Sequence, residues 1–303
     1  MTAHALVVGE ALVDIVISPA GDHTEIPGGS PANVALTLGR LGREVELVTW
    51  LGNDERGHRV GAHIRESHVR IDDASFGATH TSTALASIDE TGAATYQFDL
   101  AWQVPTVCVD PSVIVTHSGS IAATLEPGGS SVVRVLSQAR EFSTITYDPN
   151  ARPTIMGDPK NALARVEEIV AISDVVKVSD EDIEWLTGGS RIEATARRWL
   201  SMGAGLIVVT LGSRGAWAVC AQGTVKVPAP VCDVVDTVGA GDSFMGGLID
   251  ALWRENLLGA DRRVELAGVD IDALTRVLEH STAISAITVS RAGANPPWAA
   301  ELV

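Results

Sequence analysis

Aromatic side chains are scarce in this chain: two tyrosines, four phenylalanines and seven tryptophans make up 4% of its 303 residues. Cysteine is scarcer, with Cys108, Cys220 and Cys232 alone. Their odd number and their spacing argue against a disulfide framework and against a zinc site, so reduced, packed thiols of a cytoplasmic protein are expected. Long apolar runs are missing too. None reaches the roughly eighteen residues that a transmembrane helix needs. The opening Met1-Thr-Ala-His-Ala-Leu has no basic segment, so no signal peptide is expected. Positive charge is in deficit: 22 Lys and Arg face 38 Asp and Glu, for a net charge of −16. The basic residues form no cluster, which argues against a nucleic-acid partner. An anionic substrate would have to be held by local groups against the overall field. Several motifs are absent as well. There is no Gly-x-x-x-x-Gly-Lys-Ser/Thr phosphate loop, no His-Arg-Asp or Asp-Phe-Gly, and no Gly-x-Ser-x-Gly elbow.

Hydrophobic residues are 46% and charged residues 20%, ordinary values for a globular protein whose length allows a large core. Ala5 to Gly9 reads as a buried strand, and Ala11 to Ser18 continues it with Asp14 set among Leu12, Val13, Ile15 and Val16. Pro19 to Pro27 reads as turns. Ser30 looks like a helix N-cap with Pro31 at the first helical position, and Val34, Leu38 and Leu41 follow at helical spacing. Gly28, Gly29 and Asn33 then lie at a helix N-terminus, where backbone N–H groups are free to bind an oxygen-rich ligand; the alternative for Asn33 is a local side-chain bond to backbone. Glu44 to Leu51 reads as a strand, and Asp54 as a helix cap. Thr81 to Ala86 and Ala94 to Leu100 alternate around a Thr-Gly pair at 91–92, the pattern of a hairpin.

From Ser112 onward the chain alternates regularly. Strands are expected at Val113–His117, Thr144–Tyr147, Val175–Val178 and Leu206–Thr210. Helices are expected at Ser131–Glu141, Pro159–Ile172, Asp180–Leu186 and Ile192–Met202. Such alternation predicts an α/β fold with a mostly parallel sheet covered on both faces and ligands beyond the carboxyl ends of the strands. Asp148 and Asn150, Lys177 and Ser179, Thr210 to Gly215, and Asp236 to Asp242 each follow an expected strand.

The stretch with most chemistry is Asp236-Thr-Val-Gly-Ala-Gly-Asp-Ser-Phe244. The apolar run Val231 to Val235 before it reads as a strand, and Phe244, Leu248, Ala251 and Leu252 share a helical face after it. A helix N-terminus behind a glycine turn is an anion site, because its first N–H groups lack internal partners and the helix dipole adds positive charge. Gly239 and Gly241 let a phosphate approach the backbone. Asp242 reads either as a helix cap or as an acid working beside a bound anion.

This nonapeptide closely resembles the C-terminal signature of the ribokinase-like (PfkB) sugar kinases. Gly28-Gly-Ser-Pro-Ala-Asn-Val-Ala35 stands where that family carries its other signature, about two hundred residues earlier. The resemblance covers the whole chain and implies a single three-layer domain over residues 1–303. It also implies a small β lid from about residues 12–27 and 80–104. Asp242 is implied as the base, with the backbone of Gly239, Ala240 and Gly241 as the phosphoryl cradle. Asp14, Gly28, Gly29, Asn33 and Arg152 are implied to hold a sugar. Lys177, Ser179, Thr210, Gly212, Ser213, Gly215 and His280 would serve ATP. Asp182 would reach Mg²⁺ through water, although Ser179 and Asp182 replace the family's Asn and Glu. Asp236 would serve a K⁺ ion, but Pro297 stands where ribokinases place a serine ligand, so weak or absent K⁺ activation is expected. Asp148-Pro-Asn-Ala-Arg152 and Lys177-Val-Ser-Asp-Glu look most like bacterial fructokinases, with fructose as substrate. The alternatives are a 2-keto-3-deoxygluconate kinase, where Arg152 would pair with the substrate carboxylate, a ribokinase, and a catalytically silent sugar- or nucleotide-binding regulator. Asp148 is expected to neutralise Arg152, and a homodimer is expected.

Overall fold

Ala5 and Val7 are buried on one side of the first strand, and Leu6 and Val8 on the other. Val175 and Val176, and Leu206 and Ile207, divide in the same way. Strands covered on both faces need apolar residues at every position, and that is the signature of a parallel sheet between helices. The computed structural model describes residues 2–89 and 94–302. Its strands are β1 (His4–Val8), β2 (Leu12–Ile17), β3 (His23–Gly28), β4 (Val45–Val48), β5 (Val69–Ile71), β6 (Thr83–Ile88), β7 (Ala94–Asp99), β8 (Val113–Gly119), β9 (Thr144–Asp148), β10 (Val175–Ser179), β11 (Leu206–Thr210), β12 (Ala216–Cys220) and β13 (Gly223–Val227). Its helices are α1 (Ser30–Arg40), α2 (Glu55–Glu66), α3 (Gly128–Ala139), α4 (Pro153–Met156), α5 (Pro159–Val170), α6 (Asp180–Thr187), α7 (Ile192–Ser201), α8 (Ala240–Arg254), α9 (Arg263–Ala267) and α10 (Ile271–Val289).

The large sheet runs β13-β12-β11-β10-β9-β8-β1-β4-β5 and is parallel except for the β12 and β13 edge. Side chains of α1, α2, α8 and α10 join Val7, Val115, Val175 and Val208 in one core, while α3, α5, α6 and α7 join Leu6, Ile145, Val176 and Ile207 in the other. The fold is therefore three-layered. A second sheet, β3-β2-β6-β7, pairs β2 with β6 in parallel and closes with antiparallel partners at both ends. The Thr-Gly pair at 91–92 lies outside the described residues. Among the described residues no helix is long and apolar enough to cross a membrane.

Three local expectations are corrected. Residues 23–28 are a strand, with Asp14 opposite Ile26. Its β-branched Thr24 and Ile26 outweigh Pro27, which an edge strand tolerates. Val231 to Val235 form no strand: Val231, Val234 and Val235 are exposed. Pro228 and Pro230 follow β13 directly and lack the N–H groups a further ladder would need. Ser30 is the first residue of α1 and not its cap. Gly29 precedes the helix at φ 108°, and its place is tight, since a Cβ there would sit 2.4 Å from the Glu10 carbonyl oxygen.

Candidate active site

A cavity of about 630 Å³ opens at the carboxyl ends of β1, β8 and β9, roofed by the second sheet. The N-termini of α1 and α8 meet on its floor. Their approach is close because Gly246 of α8 lies against Thr37 of α1; a Cβ on Gly246 would come within 2.6 Å of the Thr37 Cβ. Asp242, in the first turn of α8, is 6% exposed. The Ser30 hydroxyl donates to its Oδ1 at 2.7 Å, Asn33 Nδ2 donates to Oδ2 at 2.8 Å, and Asn150 Nδ2 donates to Oδ1 at 3.2 Å. Three donors from one helix and a loop therefore fix one carboxylate, far more than a helix cap requires. Asn33 is engaged through its side chain with Asp242, not with its own backbone.

Gly239 precedes α8 in the left-handed region at φ 75°, where a Cβ would strike Ala294 at 2.6 Å. Helix geometry leaves the N–H groups of Gly241 and Asp242 without intrahelical acceptors. Ala240 differs from expectation: its N–H turns back to the Thr237 carbonyl at 3.2 Å.

Asp14 projects from β2 into the same cavity. Gly28 makes room for it, since a Cβ there would lie 2.1 Å from Asp14 Oδ2. Burial raises the Asp14 pKa to about 6, with Arg152 opposing and Asp242 assisting. Glu10, at the end of β1, is also buried against the cavity. It accepts from the Ala122 N–H at 3.1 Å, and burial pushes its pKa up to about 7 against its hydrogen bonds and Arg152. Arg152 lines the cavity and donates to Asn150 Oδ1 at 2.7 Å. It is not paired with Asp148, as the sequence suggested. Asp148 is the last residue of β9, and Lys177 Nζ donates to its Oδ2 at 2.8 Å.

The structure thus brings together Asp14, Gly28, Gly29, Asn33, Arg152, Asp236, Gly239, Ala240, Gly241 and Asp242. Ser179, Thr210, Gly212, Ser213 and Gly215 lie outside the cavity, at the ends of β10 and β11, with Ser179 beside Thr210 in the parallel register. Asp182 closes a capping box with Ser179, and its Oδ1 also accepts the Ala151 N–H at 3.0 Å. Both its oxygens are thus bonded to backbone, which suits contact with a hydrated ion better than direct ligation. Among the described residues no group of three His, Cys, Asp or Glu is placed to hold a metal. Lys177 is buried beneath the floor and does not line the cavity. His280 is a correction. Its Nε2 meets Asp250 Oδ2 at 2.7 Å, in a cluster with Arg43 and Arg254. Asp250 is eight residues past Asp242, about 12 Å along the helix.

Sequence reasoning missed Glu10 and the true role of Ser30. Ser30 was legible only as a cap, because the hydroxyl's partner lies 212 residues away. For Asn150 the Asp-Pro-Asn after a strand gave the signal; its φ is 36°, and its amide reaches Asp242.

The family described as pfkB family carbohydrate kinase matches residues 2–300. A fructokinase of Rhizobium leguminosarum bv. trifolii is 32% identical over 277 residues, covering 88% of this chain and 84% of the relative. Among solved structures, a fructokinase of Xylella fastidiosa with bound ATP superimposes with a TM-score of 0.83 at 23% identity, covering 97% of this chain and 94% of that one. A fructokinase of Vibrio cholerae O395 in a form binding fructose, ADP and calcium ion gives a TM-score of 0.75 at 26% identity, with coverage of 97% and 94%.

Proposed function

The chain belongs to the pfkB family of carbohydrate kinases, and from that premise we propose that it transfers the terminal phosphoryl group of ATP to the 6-hydroxyl of fructose. The observation that carries this reading is the Asp242 carboxylate, held by Ser30, Asn33 and Asn150 at a helix N-terminus that opens on the Asp14 cavity. Asp14 accepts hydrogen bonds from sugar hydroxyls and fixes the ring. Asp242 accepts the proton of the terminal hydroxyl as its oxygen bonds to the γ-phosphorus and the bond to the ADP oxygen breaks. The N–H groups of Gly241 and Asp242, with the α8 dipole, face the charge on the transferring group. In a loose transition state, positioning and charge stabilisation of this kind supply most of the rate. Mg²⁺ would arrive with the nucleotide phosphates, as it usually does, with Asp182 as its water-mediated neighbour; bound there, it neutralises phosphate charge. The second sheet, with Tyr96 and Phe98 over the cavity, acts as a lid that excludes water, and two copies of the chain form a homodimer.

Among the described residues, the cavity carries the carboxyls of Glu10, Asp14, Asp236 and Asp242 against the single cation Arg152. That balance disfavours a carboxylate substrate and favours a neutral sugar. One observation favours the other reading: Arg152 lacks the Asp148 partner that would have neutralised it. The test measures kcat/KM with ATP for fructose, ribose and 2-keto-3-deoxygluconate, in wild type and in Arg152→Ala. Fructose is expected to be best in both. A keto acid preference that vanishes with Arg152 would overturn the assignment, and inactivity on every sugar would point to a silent binding protein.

A further inference from the structure

The chain contains three lysines, and two of them, Lys160 and Lys226, are exposed. The third, Lys177, is 3% exposed. A buried ammonium is costly, and a buried ion pair is weak evidence of stability, since apolar residues of similar volume often serve the fold as well. Its placement therefore needs another explanation. Val176 of β10 lies opposite Tyr147 of β9, so the next residues, Lys177 and Asp148, project side by side beneath α8. Nζ bonds Asp148 Oδ2 at 2.8 Å, while Asp148 Oδ1, also buried, has no hydrogen-bond partner among the described residues. Above the ammonium lies Gly241: a Cβ built there would be 2.9 Å from Nζ, and it is the closest atom to that position. The charge thus sits against the second residue of α8, and Lys177 is not among the residues that line the cavity. Burial works against the ammonium, but Asp148, Asp182 and Asp242 raise its pKa despite it. The neighbouring buried ring, His117, is pushed down to about 3 by burial and by Lys177, so it stays neutral and brings no second cation.

We propose that Lys177 is a positioning residue for phosphoryl transfer, presenting fixed positive charge to the underside of the Gly239–Asp242 turn. This rests on the kinase reading. Negative charge gathered above the turn is met from above by backbone N–H groups and from below by the ammonium. In a water-poor interior such a charge acts more strongly than it would in solvent. Gly241 is then required less for its backbone angles than for the missing Cβ, which lets the ammonium reach the turn.

The test uses the full chain and three variants. Lys177→Met alone strands the Asp148 carboxylate and is expected to lower Tm. Lys177→Met/Asp148→Asn removes both charges and is expected to fold with a Tm close to wild type. Asp148→Asn keeps the lysine, with Asp182 and Asp242 left to hold its proton against burial. Turnover, sugar KM and the affinities for ATP and for ADP by equilibrium titration are measured for each. The double variant is expected to keep its sugar KM, to lose about 10-fold or more in kcat, and to lose part of its preference for ATP over ADP. Asp148→Asn is expected to keep most of both. Wild-type kcat and a wild-type ATP-to-ADP affinity ratio in the double variant would make the pair purely structural and overturn the proposal. Equal losses in Asp148→Asn and the double variant, unchanged as the pH is lowered to recharge the lysine, would overturn it too, by assigning the effect to Asp148. Should the wild type phosphorylate no sugar, the kinase reading fails, and the ATP-to-ADP ratio still decides whether Lys177 is felt at the terminal phosphoryl.

Discussion

Asp242 and Asp14 are both carboxylates on one cavity, yet their surroundings give them different work. Asp242 is held by three donors, so Asp242→Asn keeps the size of the side chain while removing its capacity to take a proton. A positioned base is worth ~10²–10⁴ in rate. A kcat loss of that order is expected, with ATP affinity little changed, in steady-state assays alongside ATP titration. Asp14 makes a pH prediction. Burial raises its pKa to about 6, so it is largely protonated below that pH and ionised above it. The carboxylate accepts more hydrogen bonds than the acid, and sugar KM is therefore expected to fall as pH rises from 5 to 7. In Asp14→Asn, KM should be higher and the step between pH 5 and 7 absent; a step of the same size in the variant would assign the titration to another group. The stability sign is the reverse of the usual carboxylate case. A raised folded-state pKa contributes stability that is present below about pH 4 and lost as pH rises through 6. Asp14 was legible in the sequence as an acid inside an apolar run. Ser30 and Glu10 were not, because their partners come from other elements.

At the scale of elements, the site depends on two helices whose N-termini touch. Helix α1 brings Ser30 and Asn33, and α8 brings Asp242. Their separation is set by Gly246 against Thr37. Gly246→Val would force side-chain bulk into that contact, and overpacking of this kind costs about 1–3 kcal/mol. Lowered Tm is expected in thermal unfolding. Lowered kcat is expected with it, since the variant moves Asn33 from Asp242 without touching either residue. Normal kcat at reduced Tm would show that the helix spacing is not what aligns the base. Helical periodicity revealed α8 through Phe244, Leu248, Ala251 and Leu252, but nothing along the sequence named α1 as the partner. The segment before α8 shows the opposite failure. Its valines read as a strand by composition, while the prolines at 228 and 230 had already ended the sheet.

At the scale of the whole molecule, the last segment returns to close the site. Gly293 N–H donates to Asp236 Oδ2 at 2.8 Å, and Val238 N–H donates to Oδ1 at 3.0 Å. Arg40, at the end of α1, donates to the Pro296 carbonyl at 2.8 Å and lies over the Trp298 ring. The segment is thus held by protein groups, with Asp236 already satisfied by backbone and no hydroxyl at Pro297. Replacing Na⁺ by K⁺ is accordingly expected to leave the rate nearly unchanged; a many-fold rise would show that a cation is needed to order this segment. The sequence by itself determined the architecture and the glycine turn before α8, because those depend on local periodicity and on short glycine patterns whose neighbours are adjacent in the chain. Only the tertiary structure decided which carboxylate meets which cation. Asp148 faces Lys177 and not Arg152 because adjacent parallel strands set residues 29 positions apart side by side, while Arg152, four residues on, has left the sheet for the loop over the cavity. His280 faces Asp250 for the same reason: antiparallel packing of α10 on α8 fixes the level at which their side chains meet, and no spacing along the chain encodes that level.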